Sequence, residues 1–234
     1  GEGRSILFCR ERDPTREMWD GRMVGLESAV ADYGMDEAWD IKEAETRLRD
    51  MLPDRERIFH DLGRDPMFDQ RLIGWLNEFR GTSRKTFHAP EEIHALHDML
   101  HDMRVYKSRE ELSVMRNSAK VAIEAHEAAM RDCAPGMNEA DIHALLMHTF
   151  IRNHCEASYL PIVAGGANAC VLHYIENKGT LNDGDLLLID AGAELDGYAS
   201  DITRTFPVNG RFSAEQRALY EIVLEAQARA IENV

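Results

Sequence analysis

The amino-acid sequence predicts an α/β fold, of the mixed α+β kind, and three observations support this class. Short apolar segments with strand character alternate with amphipathic helical patterns in the first half of the chain. The second half combines helix-capping sequences with tight turns around an apolar strand. In addition, 44% of the 234 residues are hydrophobic, which is enough to build one large core or two smaller ones.

The first half is predicted to contain two strands and two helices. Apolar residues recur at helical spacing in both helical segments, and Pro66 stands near the start of the second, where proline is well tolerated. A charged loop through Asp13 and Pro14 follows the first strand. Two strands are too few to close a sheet. In chain order the elements are a strand over 5–9, a helix over 41–52, a strand over 58–62 and a helix over 66–80.

A polar passage separates the two halves of the sequence. Helical spacing predicts one short helix within it, over residues 91–102. We place the domain boundary just after this helix, near Tyr106. Residues 1–106 and 107–234 are therefore expected to form separate domains.

Three histidines, His94, His97 and His101, are predicted to share one face of this short helix. Such a stripe can bind a metal ion, but acidic residues occupy the same segment. We therefore favour an exposed polar face over a metal site.

Capping sequences mark the starts of three helices in the second half. In a capping box, a serine hydroxyl accepts a hydrogen bond from a first-turn amide, while a Glu or Gln three residues later reaches back to the serine amide. Ser108 and Glu111 fit this pattern at the first helix. Ser213 and Gln216 fit it at the last helix, and Asn138 caps the helix between them.

Turn sequences frame the strands of the second half. Residues 182–185 turn the chain into an apolar strand over 186–190. A second turn, centred on Gly197, leads into a strand over 198–206. An earlier strand is predicted over 159–164.

The composition argues against several classes of partner. The chain has 27 Lys and Arg against 42 Asp and Glu, and this net charge of −15 has the wrong sign for binding nucleic acid. Its apolar stretches are too short to span a membrane, so no membrane partner is expected. The four cysteines form no C-x-x-C pair, which predicts free thiols in a cytoplasmic protein.

Two aspartates are the strongest chemical signal. Asp190 ends a run of four aliphatic residues, where an unpaired carboxylate costs several kcal/mol to desolvate. A hairpin through residues 195–197 would bring Asp201 beside Asp190 or diagonally across from it, roughly 5 to 8 Å away. Two carboxylates this close repel each other unless divalent cations lie between them. The pair therefore suggests a site for two metals, although a solvated aspartate in each strand of an ordinary hairpin explains the same spacing.

His173 is the candidate for proton transfer. It follows a glycine-rich loop, and an imidazole there could move protons or stabilise a developing oxyanion near neutral pH. A buried histidine that only satisfies core hydrogen bonds remains the alternative.

Four segments together resemble the Xaa-Pro aminopeptidases, metallopeptidases with the "pita-bread" fold. The resemblance implies a partial creatinase-like α/β domain followed by the first half of a pita-bread catalytic domain. It covers essentially the whole chain and is most specific in the C-terminal half. The segments are YLPIV at 159–163, LHYIEN at 172–177, GDLLLIDAG at 184–192 and SDITRTFPVNG at 200–210.

The resemblance also implies a role for each candidate residue. Asp190 matches a carboxylate that binds one metal, and Asp201 matches the carboxylate that bridges both. His173 matches a histidine that lies outside the metals' coordination sphere and contacts the substrate near the scissile peptide bond. In such enzymes a hydroxide held between two metals, usually manganese with cobalt or zinc as alternatives, attacks the carbonyl before proline. The implied substrates are peptides with an Xaa-Pro N-terminus, and the complete protein is expected to be a homo-oligomer.

The family completes its metal site with one histidine and two glutamates that match no residue of this sequence. We therefore expect the sequence to be an internal piece of a longer protein, and the piece alone to be inactive. Two other functions remain open for the complete protein. One is an Xaa-Pro dipeptidase built on the same site, and the other is a non-catalytic pita-bread module that binds peptides or proteins.

Overall fold

The computed structural model describes residues 3–81 and 88–233, which divide into two compact units, Gly1–Val105 and Tyr106–Val234. Both units combine helices with strands, which confirms the predicted α/β class. Within the described residues, no helix combines the length and the apolar character needed to cross a membrane.

The first unit contains two separate pairs of parallel strands. Strand β1 (Ile6–Cys9) pairs with β2 (Glu37–Asp40), and β3 (Arg57–Phe59) pairs with β4 (Glu92–His94). The helices of this unit are α1 (Pro14–Asp20), α2 (Gly25–Ala31), α3 (Ala44–Met51), α4 (Pro66–Gly81) and α5 (Leu96–Val105).

Helix α4 supplies the core of the first unit. Its buried face consists of Leu72, Trp75, Leu76 and Phe79, with partly buried side chains from α3 and β3 packed against them. This spacing of three and four residues is the apolar stripe that predicted the helix.

The segment through Asp13 and Pro14 is a helix start, where the sequence had indicated a loop. The Asp13 side chain accepts hydrogen bonds from the amides of Thr15 and Arg16, and Pro14 occupies the first position of α1. Proline at this position loses no helical hydrogen bond, so Asp-Pro is itself a helix-start signal.

The predicted helix over residues 91–102 was wrong in its first part. Residues 92–94 form β4, and the helix begins only at Leu96. His94 therefore lies on a strand, hydrogen-bonded to Glu92, and does not share a helix face with His97. His97 binds Asp61 through both its ring and its amide, so these histidines make local polar contacts.

The second unit contains three long helices, and all three predicted caps are confirmed. Each N-cap side chain accepts a hydrogen bond from the helix while the third helical residue reaches back to the cap amide. The helices are α6 (Arg109–Asp132), α7 (Glu139–Arg152) and α8 (Ala214–Glu232).

The strands of the second unit form two antiparallel sheets. The first sheet has the order β10-β7-β6 and the second has the order β5-β8-β9. The predicted strand over 198–206 is therefore two strands, because the chain passes from one sheet to the other within it. The strands are β5 (Glu156–Ala157), β6 (Ile162–Gly165), β7 (Leu186–Ala191), β8 (Ala193–Leu195), β9 (Tyr198–Ala199) and β10 (Ile202–Pro207).

Gly192 is the point at which the chain leaves the first sheet for the second. A Cβ at this position would lie 1.7 Å from the carbonyl oxygen of Ser200, so only glycine fits. Ser158 links Gly192 to Ser200, because its hydroxyl donates to the Ser200 carbonyl and its amide donates to the Gly192 carbonyl.

The main core lies between the first sheet and helices α6 and α7. Alternate residues of β7, Leu187 and Ile189, are fully buried in it. The buried apolar residues of helix α6 are all alanines, and small side chains allow a helix to approach a sheet closely. The Ser118 hydroxyl on α6 donates to the Ala193 carbonyl, which fixes the helix against the second sheet.

Candidate metal centre

Asp190 lies on the face of β7 opposite the main core. The strand alternates between buried and half-buried residues, and Asp190 belongs to the half-buried set. It stands between Ile162 of β6 and Thr203 of β10, so strands on both sides fix its backbone. The carboxylate is thus held by a central strand without being sealed in the interior.

Asp201 lies diagonally across from Asp190. Thr203 is the direct partner of Asp190 in the antiparallel register, and Asp201 comes two residues earlier, just before β10 begins. Its side chain is exposed. Of the arrangements that the sequence allowed, the structure has the diagonal one.

A tyrosine that the sequence analysis did not single out joins the two carboxylates. The Tyr159 hydroxyl lies 2.5 Å from Asp190 Oδ1 and 2.9 Å from Asp201 Oδ1. Burial and these two hydrogen-bonded carboxylates raise the pKa of Tyr159 well above its ordinary value, because all of them disfavour the phenolate. The phenol therefore keeps its proton and acts as a donor to the pair.

The oxygen atoms of Asp190 and Asp201 suit divalent cations. Within residues 3–81 and 88–233, neither carboxylate forms an ion pair with a Lys, Arg or His side chain. Carboxylate oxygens are ligands that Mn, Mg and Ca accept readily. The described residues contain no group of three or more His, Cys, Asp or Glu arranged to hold a metal. The donor set therefore fits two ligands of a larger site.

His173 lies in an exposed turn and is not part of the core. It forms no hydrogen bond or ion pair with any described residue, and within those residues Asp190 and Asp201 are hydrogen-bonded to Tyr159 instead. The alternative interpretation as a buried core histidine is therefore wrong. Its imidazole is free to meet a ligand.

His126 is another residue near this site that the sequence analysis missed. Its Nε2 lies 2.9 Å from the Ile202 carbonyl oxygen, and it must donate there because a carbonyl can only accept. Burial lowers the pKa of His126, with a smaller contribution from Arg204, so the ring stays neutral at pH 7. This bond ties α6 to the start of β10, directly after Asp201.

All four cysteines are free, as predicted. Apolar residues surround Cys170 in the sequence, which favours a buried thiol, but its side chain is exposed. Its apolar neighbours Val171 and Leu172 point out as well, at 56% and 90% exposure. Local apolar sequence did not predict burial here because the segment belongs to a surface loop.

Two family models match the chain in sequence order. "Aminopeptidase P, N-terminal domain" matches residues 1–59, and "Metallopeptidase family M24" matches residues 113–234. The second match covers more than half of the chain. Both agree with the resemblance drawn from the four segments.

The relatives of the chain are aminopeptidases of about twice its length. Xaa-Pro aminopeptidase of Escherichia coli is 41% identical over 95% of this chain and 51% of the relative. Aminopeptidase PepP of Pseudomonas aeruginosa superposes with a TM-score of 0.88 at 48% identity, covering 97% of this chain and 52% of that one. A zinc-substituted aminopeptidase P of E. coli in complex with product gives 0.86 at 41% identity, covering 94% and 50%.

These matches run through both units of the chain, and they include Asp190 on β7 and Asp201 just before β10. The structure has the fold of aminopeptidase P over about half the length of that fold. The chain belongs to the metallopeptidase family M24.

Proposed function

We propose that the complete protein is a metal-dependent aminopeptidase that releases the N-terminal residue from peptides with proline in second position. One observation carries the proposal: Asp190 and Asp201 converge on one tyrosine hydroxyl, and no cationic side chain of residues 3–81 and 88–233 forms an ion pair with them. In an M24 chain this arrangement favours divalent metals as the missing positive charge. The substrate class is supported by relatives that bear the name Xaa-Pro aminopeptidase.

In this proposal Asp190 would hold one divalent cation, and Asp201 would be shared by both. Bound cations would lower the pKa of a water molecule and stabilise the oxyanion formed during peptide hydrolysis. Manganese is the proposed ion, with cobalt or zinc as alternatives, and the zinc-substituted relative supports the view that such sites accept more than one metal.

Tyr159 would orient the two carboxylates, and His173 would act on the substrate. The Tyr159 hydroxyl, held at 2.5 Å from Asp190, would fix the direction of both carboxylates. His173, exposed and without a partner, would hydrogen-bond the substrate near the scissile bond and handle protons there.

Domain organisation and location are part of the proposal. We assign residues 1–106 to a partial N-terminal α/β domain and linker, and residues 107–234 to the N-terminal half of the catalytic domain. The remaining metal ligands would come from the part of the relatives' length that this chain does not span. A cytoplasmic location and a homo-oligomeric state stay predictions.

The direct test is turnover by a protein of the relatives' full length, supplied with Mn²⁺. Longer Xaa-Pro-peptides, Xaa-Pro dipeptides and matched peptides with alanine in place of proline should be compared. We expect cleavage of the longer Xaa-Pro-peptides only, with metal bound in the purified protein. Cleavage of dipeptides alone would favour the dipeptidase, whereas no bound metal and no turnover would favour the non-catalytic module.

A further inference from the structure

Glu139 is a fully buried carboxylate in the first turn of α7. Its Oε1 accepts hydrogen bonds from the Gly165 amide at 2.8 Å and the Asn168 side chain at 2.9 Å. Its Oε2 accepts from the Tyr174 hydroxyl at 2.8 Å and the Gly179 amide at 2.7 Å. Every donor belongs to one segment of the chain, from Gly165 to Gly179.

The carboxylate is ionised even though it is buried. Burial by itself would raise the pKa of Glu139, but the four hydrogen bonds together outweigh it and the pKa lies below its ordinary value. The N-terminus of α7 also favours a negative charge at this place. Glu139 is therefore a fixed anionic anchor.

The segment held by this anchor is the loop that carries His173. We call residues 166–179 the His173 loop. Asn168 and Tyr174 hold its first part to Glu139, and Gly179 holds its end. A Cβ at Gly179 would lie 2.8 Å from Glu139 Oε1, so the backbone approaches as closely as glycine permits.

A second attachment fixes the loop to the sheet of the metal centre. The Asn177 side chain accepts from the Val163 amide and donates to the Pro161 carbonyl, as a paired strand would do. These two residues flank Ile162, the neighbour of Asp190 across the sheet. Asn177 adopts a positive φ of 48° to reach this position.

We propose that Glu139 is a positioning residue that holds the His173 loop in the shape that presents His173 to the substrate. His173 itself forms no hydrogen bond with a residue that the structure describes, so its position depends on the residues around it in the loop. Tyr174, the next residue in the chain, is bound directly to Glu139. The inference rests on the proposed function, because that function assigns His173 its task.

The first experiment is a double-mutant cycle in the full-length, Mn²⁺-loaded protein, with Glu139→Gln, His173→Ala and both together. A glutamine would turn an NH₂ group toward two of the four donors, so the loop would loosen without losing side-chain volume. We expect Glu139→Gln to lower kcat by about tenfold or more with a small change in KM, and to have little further effect once His173 is replaced. If the fold losses in kcat of the two single variants multiply in the double variant, the two residues act independently and the proposal is overturned.

Asp141→Asn is the matched control. Asp141 lies in the same helical turn and binds the Asn138 amide, so this change removes the same charge from the same helix end. Among the described residues, the Asp141 side chain accepts no hydrogen bond from the His173 loop. We expect near-normal kcat, and a loss equal to that of Glu139→Gln would assign the effect to the helix cap instead.

Amide hydrogen exchange of the loop provides a readout that needs no activity. Glu139→Gln should speed exchange across residues 165–179, while Asp141→Asn should not. Tyr174→Phe removes a single donor and should produce a smaller change of the same kind, which serves if Glu139→Gln fails to fold. Unchanged loop exchange in both variants would overturn the inference. If the wild-type protein is inactive but Glu139→Gln still speeds hydrogen exchange in the loop, the result counts against the proposed function alone.

Discussion

Two acidic sites in the second unit differ in how the protein stabilises their negative charge. Glu139 is fully buried and accepts four hydrogen bonds from its own surroundings. Asp190 and Asp201 are two carboxylates that share one hydroxyl, that of Tyr159. Among the described residues, Glu139 is the more deeply buried and accepts more hydrogen bonds than Asp190 and Asp201 do together.

This difference separates a structural anion from a binding anion. Buried charges are tolerated when the protein supplies the donors that water would have supplied, and Glu139 meets that condition. Asp190 and Asp201 remain under-satisfied within the described residues, which is what a site for external cations requires.

Asp201→Asn in the full-length protein should lower kcat/KM for an Xaa-Pro-peptide by about a thousandfold or more. If Asp201 is shared by two metals as proposed, its loss would remove several kcal/mol of transition-state stabilisation, and about 1.4 kcal/mol corresponds to a factor of ten. The measurement is steady-state turnover with added Mn²⁺. Near-normal turnover would remove Asp201 from the site and end the contrast with Glu139.

Glu139→Ala should lower the free energy of unfolding by about 3 kcal/mol or more, because it leaves buried donors without an acceptor. Urea unfolding of the chelator-treated protein measures this loss. Asp141→Ala is the control, and losing this capping side chain should cost only about 1 kcal/mol. Equal losses in the two variants would mean that the loop contacts of Glu139 contribute nothing to stability.

The contribution of Glu139 to the free energy of unfolding should depend on pH. Because the folded pKa lies below the unfolded value of about 4.3, this contribution is complete above that value and is lost as pH falls through the folded pKa. The difference in unfolding free energy between wild type and Glu139→Gln should therefore be smaller at about pH 3.5 than at about pH 7. A difference independent of pH would contradict an ionised, hydrogen-bonded Glu139.

Asp190→Asn should change the stability of the metal-free protein by less than about 0.5 kcal/mol, or should stabilise it slightly, since it relieves repulsion between two carboxylates. Urea unfolding in the presence of a chelator is the measurement. Added Mn²⁺ should then stabilise wild type and not the variant. A large loss without metal would show that Asp190, like Glu139, is satisfied by the protein itself.

Local signals in the sequence predicted most of the second unit. The capping boxes at Ser108 and Ser213 gave helix starts that the structure has, because cap and helix lie within one turn of each other. Strand β2 was missed because its four residues, EAWD, have charged ends and pair with β1 some thirty residues away. Strand β4 was read as helix because its histidine fits the helical spacing of the two that follow.

The candidate site was predictable only where the sequence kept its parts close. Asp190 and Asp201 lie near each other in one hairpin-like segment, so their spacing could be deduced. Tyr159 is 31 and 42 residues from them, and nothing in its neighbourhood indicated the contact. Glu139 followed a recognised N-cap and looked like an ordinary acidic residue of a first turn, while its four donors lie 26 to 40 residues further on.

The crossing at Gly192 has a consequence for the geometry of the carboxylates. Gly192 follows the end of the strand that carries Asp190, and the Ser200 carbonyl against which it packs immediately precedes Asp201. The distance between the two carboxylates therefore depends on direct backbone contact between Gly192 and Ser200. A methyl group on residue 192 would force these two chain segments apart. The hydrogen that Gly192 has in place of a side chain thus helps to set the distance between the two carboxylates.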